Sequence, residues 1–95
     1  MKQYVIERNL PELGEWTVEE LQAASQKSCE VLAGLGPSIE WVQSYVTANK
    51  MFCVYAADEE RLIHEHATIT GFPADRIYEV KTVIGPFTAE EGNQS

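Results

Sequence analysis

Two runs rich in β-branched and aromatic residues, Ile39–Thr47 and Lys50–Ala57, are separated only by Ala48-Asn49. No other stretch constrains the fold as tightly, because strands joined by so short a connection pair as an antiparallel hairpin. Simple alternation puts Trp41 and Tyr45 on one side of the first run, and Val42 and Val46 on the other. A sheet that is apolar on both faces requires two covers. Helices can supply one, and a second protomer the other.

The flanking segments supply the helices. Gln3–Arg8 reads as a strand, with Tyr4, Ile6 and Arg8 pointing one way and Val5 and Glu7 the other. Thr17-Val18-Glu19-Glu20 is a capping box. It opens a helix running to about Ala33, with Leu21, Ala24, Ser28, Val31, Leu32 and Leu35 as its apolar stripe. Asp58 is positioned to cap a second helix ending at Thr70-Gly71, and Ile77–Ile84 reads as a last strand. The order β-α-β-β-α-β specifies an α+β, ferredoxin-like domain over residues 1–87, with two helices on one face of a four-stranded antiparallel sheet. Residues 88–95 are polar and acidic and read as a flexible tail. The open face predicts a homodimer, sheet against sheet, of the dimeric α/β-barrel type, since soluble monomers rarely expose a broad apolar patch.

Charge narrows the partners. Fifteen acids against seven bases give a net charge of −8. That argues against sequence-independent, phosphate-neutralising nucleic-acid binding and against adhesion to an anionic membrane, and it suits cations or simple solubility. No apolar run approaches the ~18 residues of a membrane span. Met1 leads directly into a strand, and Cys29 and Cys53 form no CxxC motif. The expectation is a cytoplasmic protein with reduced thiols, each cysteine a small buried residue.

Both histidines lie in the second helix, as His64-Glu65-His66. At ~100° per residue, with Leu62 at zero, His66 falls at ~40° inside the apolar stripe and His64 at ~200° on the far side. The rings therefore cannot close on one ion from a regular helix, where chelating pairs sit at i, i+3 or i, i+4. His64 does have Glu60 at i−4, an arrangement that can hold a divalent cation or simply support the helix. His66 faces the sheet, as a core histidine, the floor of a pocket or a general base. Glu65, at ~300° on the stripe's edge, has Arg8 and Lys81 as candidate partners. No phosphate loop, nucleophile elbow or complete catalytic triad can be assembled.

Tyr4-Val5-Ile6-Glu7-Arg8, Trp41-Val42-Gln43-Ser44-Tyr45-Val46, Cys53-Val54-Tyr55, Glu65-His66-Ala67 and Gly71-Phe72-Pro73-Ala74-Asp75-Arg76 together resemble the small DUF4242 proteins over about residues 3–88. The resemblance implies a dimeric ferredoxin-like protein that binds divalent metal, nickel above all, in sequestration or tolerance rather than catalysis. Glu65-His66 matches the family's recurring Glu-His-Ala. Gln43 stands where many relatives carry His, and an amide is a poor nickel ligand. His64 lies outside the family pattern. The candidate metal ligands are thus His66, Glu65, His64 and Glu60. The alternative is a small-ligand-binding or cofactor-independent monooxygenase-like member of the dimeric α/β-barrel group, its pocket lined by Trp41, Tyr45, Tyr55 and His66. A third possibility is a structural dimer with no ligand.

Overall fold

The hairpin forms as its spacing requires. β2 (Ile39–Val46) and β3 (Lys50–Ala57) pair antiparallel around a tight connection. Thr47 closes that connection, its hydroxyl donating to the Lys50 carbonyl at 2.7 Å and accepting from the Lys50 amide at 2.9 Å. β1 (Lys2–Asn9) pairs with β3, and β4 (Arg76–Glu79) with β1, giving the order β2-β3-β1-β4. The computed structural model describes residues 1–94. Its α1 (Val18–Leu35) and α2 (Glu60–Thr70) cover one face of the sheet, which is the α+β ferredoxin-like plan. Tyr4, Ile6, Cys53, Tyr55, Leu62 and Ile63 form the core of that layer. None of the described helices is long and apolar enough to cross a membrane.

The capping box at α1 is complete: Thr17 Oγ1 accepts from the Glu20 amide at 3.1 Å, and Glu20 Oε1 accepts from the Thr17 amide at 3.0 Å. Gly36 and Gly71 end the two helices with φ of 92° and 79°, values that only glycine adopts without strain. Gly14 serves differently. Its amide donates to Ala48 O at 2.8 Å, and a Cβ there would meet Ala48 Cα at 3.0 Å, so a larger residue would push the β1–α1 loop off the hairpin tip by a few tenths of an ångström.

Four sequence expectations need correction. The register of β2 shifts between Trp41 and Gln43, a β-bulge at Val42. The extra residue resets the alternation, so Ile39 and Trp41 face the helices before it, and Ser44 and Val46 after it. Trp41 and Tyr45 are therefore on opposite faces. β4 stops at Glu79 instead of Ile84, because it is an edge strand whose only partner, β1, begins at Lys2. Val80 N makes the last bond, to Gln3 O at 2.8 Å, and Val83 and Ile84 are exposed. Asp58 does not cap α2. Its amide donates to Ser38 O at 2.9 Å, finishing the strand layer, and the cap position passes to Glu59. Cys29 is exposed, because its neighbour Ser28 takes the buried position on α1. At the C-terminal end the chain forms helix α3 (Pro86–Gln94), started by Thr88 Oγ1 accepting from Gly85 N at 3.0 Å; Ser95, the end of the expected tail, lies outside the described residues.

The face turned away from the helices carries Val5, Phe52 and Val54 at its centre, with Val42, Tyr45 and Tyr78 exposed around them.

Candidate functional site: the two faces of α2 and the cavity beneath α1

Helix α2 divides its histidines between two environments. On the solvent side His64 Nε2 lies 3.1 Å from Glu60 Oε2, both side chains exposed. One turn of helix is enough to set this imidazole and carboxylate together. Glu65 is held elsewhere. Its carboxylate accepts from Arg61 Nη1 at 2.9 Å, while Arg61 Nε donates to Glu59 at 2.7 Å. Its partner is thus Arg61, one turn away, rather than Arg8 or Lys81, which belong to other elements. The four candidate ligands do not converge, and no group of three or more His, Cys, Asp or Glu side chains able to hold a metal occurs among the described residues.

On the inner side His66 is 1% exposed. Its Nε2 is 3.0 Å from Ser28 Oγ on α1, which in turn is 3.2 Å from the Tyr55 hydroxyl on β3. The Tyr55 and His66 rings meet at 5.0 Å, tilted by 56°. With Nε2 as acceptor, Tyr55 donates to Ser28 and Ser28 to His66, so one chain of hydroxyls ties both helices to the sheet. Burial, and secondarily the charge of Arg8, lowers the His66 pKa from 6.5 to about 4. The imidazole is therefore neutral near pH 7. Burial also raises the Tyr55 phenol above its usual value, against the opposing hydrogen bond from Ser28.

Beneath α1 lies a cavity of about 170 Å³. Trp16, Leu21, Trp41, Met51 and Phe72 give it apolar walls, and Ser28, Cys53, Tyr55 and Arg8 form its polar end. His66 is not among its lining residues; it sits one hydrogen bond behind the wall, through Ser28. Tyr45, expected in such a pocket, is on the opposite face of the sheet because of the bulge. Phe72, two residues after α2, lines the cavity, with Lys27 Nζ 5.5 Å from its ring centroid.

Arg8 is the residue that sequence reasoning undervalued. It is 2% exposed. Its Nε donates to Cys53 Sγ at 3.4 Å and its Nη1 to Pro73 O at 2.7 Å, and no carboxylate among the described residues pairs with it. The signal was present in the alternation of β1, which places Arg8 on the same face as Tyr4 and Ile6, the face that becomes the core.

A family model described as "Nickel responsive protein SCO4226-like" matches residues 4–80 of the chain. No curated protein matches it. Among solved structures, the crystal structure of SCO4226 from Streptomyces coelicolor A3(2) superposes with a TM-score of 0.73 at 15% identity, covering 86% of this chain and 99% of that one. At that identity the likeness speaks for the fold.

Proposed function

The chain belongs to the SCO4226-like nickel-responsive family, and from that premise we propose that it binds nickel as an exchangeable cargo, in sequestration or tolerance, through the solvent face of α2. The observation that carries this reading is the imidazole of His64 and the carboxylate of Glu60 set 3.1 Å apart on adjacent turns. Imidazole and carboxylate suit nickel, copper and zinc. The fit is partial, because two donors are all that this patch supplies. The remaining positions on the ion fall to water or to another molecule, which makes binding weak and reversible, as cargo requires. The net charge of −8 adds a non-specific attraction for cations. Of the other candidates, Glu65 would first have to leave Arg61, and the Nε2 of His66 is held by Ser28 in the interior.

Titration calorimetry of tag-free protein with Ni(II) tests this. Saturable heat is expected, abolished by His64→Ala, weakened by Glu60→Gln and unchanged by Glu65→Gln. Wild-type protein giving no heat above buffer sinks the reading, and loss of binding in Glu65→Gln but not in His64→Ala would relocate it.

The homodimer belongs to the same proposal. A second copy would cover the open face around Val5, Phe52, Val54 and Tyr45, leaving the helices, and with them His64, on the outside of the assembly. Light scattering is expected to give the mass of two chains for wild type, and of one chain for the double variant Tyr45→Asp, Tyr78→Asp. A wild-type mass of one chain across the accessible concentration range rules this assembly out.

A further inference from the structure

We propose that the cavity beneath α1 is a binding site for a small apolar monocarboxylate of about the size of benzoate, with Arg8 as its counter-ion. This is independent of nickel, since the cavity and the His64–Glu60 patch lie on opposite sides of the helix layer.

The charge argument comes first. Burying an ionised group is costly unless it is paired and hydrogen-bonded. A guanidinium cannot escape the cost by losing its proton. It carries five N–H donors, and Arg8 directs them to the Pro73 carbonyl, the Cys53 thiol and, more weakly, the Tyr55 hydroxyl, none of them a carboxylate. No buried side-chain nitrogen or oxygen among the described residues lacks a partner, yet the Arg8 charge, at the edge of the cavity, has no anionic partner there. No Asp or Glu lines that cavity, so no carboxylate there repels an incoming anion or supplies the missing counter-charge. Guanidinium and carboxylate match as a two-point fork, and the bond is strongest in a dry, apolar setting.

Size and lining choose the rest of the ligand. A cavity of ~150 Å³ lined by apolar side chains accommodates benzene, and this one is about 170 Å³. Two tryptophans, Trp16 and Trp41, face it with Leu21, Met51 and Phe72, offering edges and faces on which a flat ring packs. The hydroxyls of Ser28 and Tyr55 lie at the Arg8 end, and with the Ser28 chain reversed, His66 Nε2 donating, the Tyr55 hydroxyl is free to donate to a carboxylate oxygen. Half-exposed Trp16 and exposed Val46 form the rim through which a ligand enters. An inorganic anion would leave the apolar walls unused, and a neutral aromatic would leave Arg8 without its counter-charge.

The two tryptophans are the only ones in the chain, so intrinsic fluorescence reads the cavity directly. Wild-type protein with chelator present is titrated with benzoate, benzamide and inorganic phosphate. Benzoate is expected to give a saturable change, with benzamide and phosphate each binding at least tenfold more weakly. Arg8→Gln is expected to weaken benzoate by roughly tenfold to a hundredfold, the span for losing a hydrogen-bonded charge. Ala24→Leu, which fills the cavity from α1 and leaves Arg8 intact, should abolish binding. Should Arg8→Gln fail to fold, the ligand series on wild type together with Ala24→Leu still decides. Equal binding of benzoate and benzamide, or no saturable change with benzoate, overturns the proposal.

Discussion

Acidifying the metal-free protein from about pH 7 to about pH 4 is expected to remove roughly 3 kcal/mol of stability through His66 alone. The imidazole has a pKa of about 4 in the fold against 6.5 for the free side chain. Between those values the unfolded chain takes up a proton that the folded chain refuses, so acid favours unfolding throughout that window. The contribution is fully present above the unfolded value and exhausted once pH falls below the folded one. Groups from every side determine the effect. Arg8 on β1 repels a second positive charge, while Ser28 on α1 and Tyr55 on β3 offer hydroxyls and no carboxylate. Surface carboxylates titrate in the same region, so the quantity to measure is the difference between wild type and His66→Gln in chemical denaturation across pH. The amide keeps an acceptor for Ser28 but has no proton to gain. The two curves are expected to converge as pH falls. Parallel curves would show that His66 can be protonated within the fold, and a ring resonance of His66 titrating near pH 6.5 would show the same without any variant.

That two-sided behaviour of α2 was legible before any coordinates, because the 3.6-residue period is a local property. Counting along the helix separates His66 from His64, and the fold confirms one as interior and the other as solvent-facing. The capping box of α1 and the limits of β3 are likewise local and are found where expected. The larger failures are non-local. Val42 is as good a strand residue as its neighbours, and nothing in Trp41-Val42-Gln43 announces that two residues will oppose one on β3. Yet this bulge decides that Ser44 instead of Tyr45 faces the cavity. The end of β4 is set by where β1 begins, and the sequence of β4 itself continues to look like a strand through Ile84.

The candidate sites follow the same division. The Glu60–His64 pair is an i, i+4 contact and was found by spacing. The cavity was anticipated only as a place between helix and sheet, with His66 as its polar floor. Its floor is Arg8 instead, and His66 acts one step behind through Ser28. The alternation of β1 had already placed Arg8 with Tyr4 and Ile6. What no single strand can reveal is the absence of a counter-charge, which depends on every other element packed over that end of the sheet.

Arg8→Met is therefore expected to make the metal- and ligand-free protein more stable, by about 1–2 kcal/mol, while destroying carboxylate binding. Methionine fills a similar volume with a flexible, polarisable chain. Replacing a poorly compensated buried charge with apolar atoms is commonly neutral or stabilising. Against this stands the loss of the 2.7 Å bond to Pro73 O, about 1 kcal/mol, and of the weaker contact with Cys53. The balance favours methionine because the charge is permanent and its protein acceptors are a carbonyl, a thiol and the Tyr55 hydroxyl, none of them charged. The substitution also reaches His66. Removing the Arg8 charge removes the second cause of its lowered pKa and leaves burial, the larger one. The His66 pKa should rise but stay below 6.5, and the pH-dependent loss of stability should shrink without vanishing. Thermal or chemical denaturation with a parallel His66 titration checks both. Arg8→Met destabilised by more than about 1 kcal/mol, the worth of the lost bond to Pro73 alone, would mean that the guanidinium is a structural tie between β1 and the loop after α2. An excess of stability in the variant would mean that the fold carries an unpaired charge at its own cost, which is the thermodynamic mark of a site kept for an anion that arrives from outside.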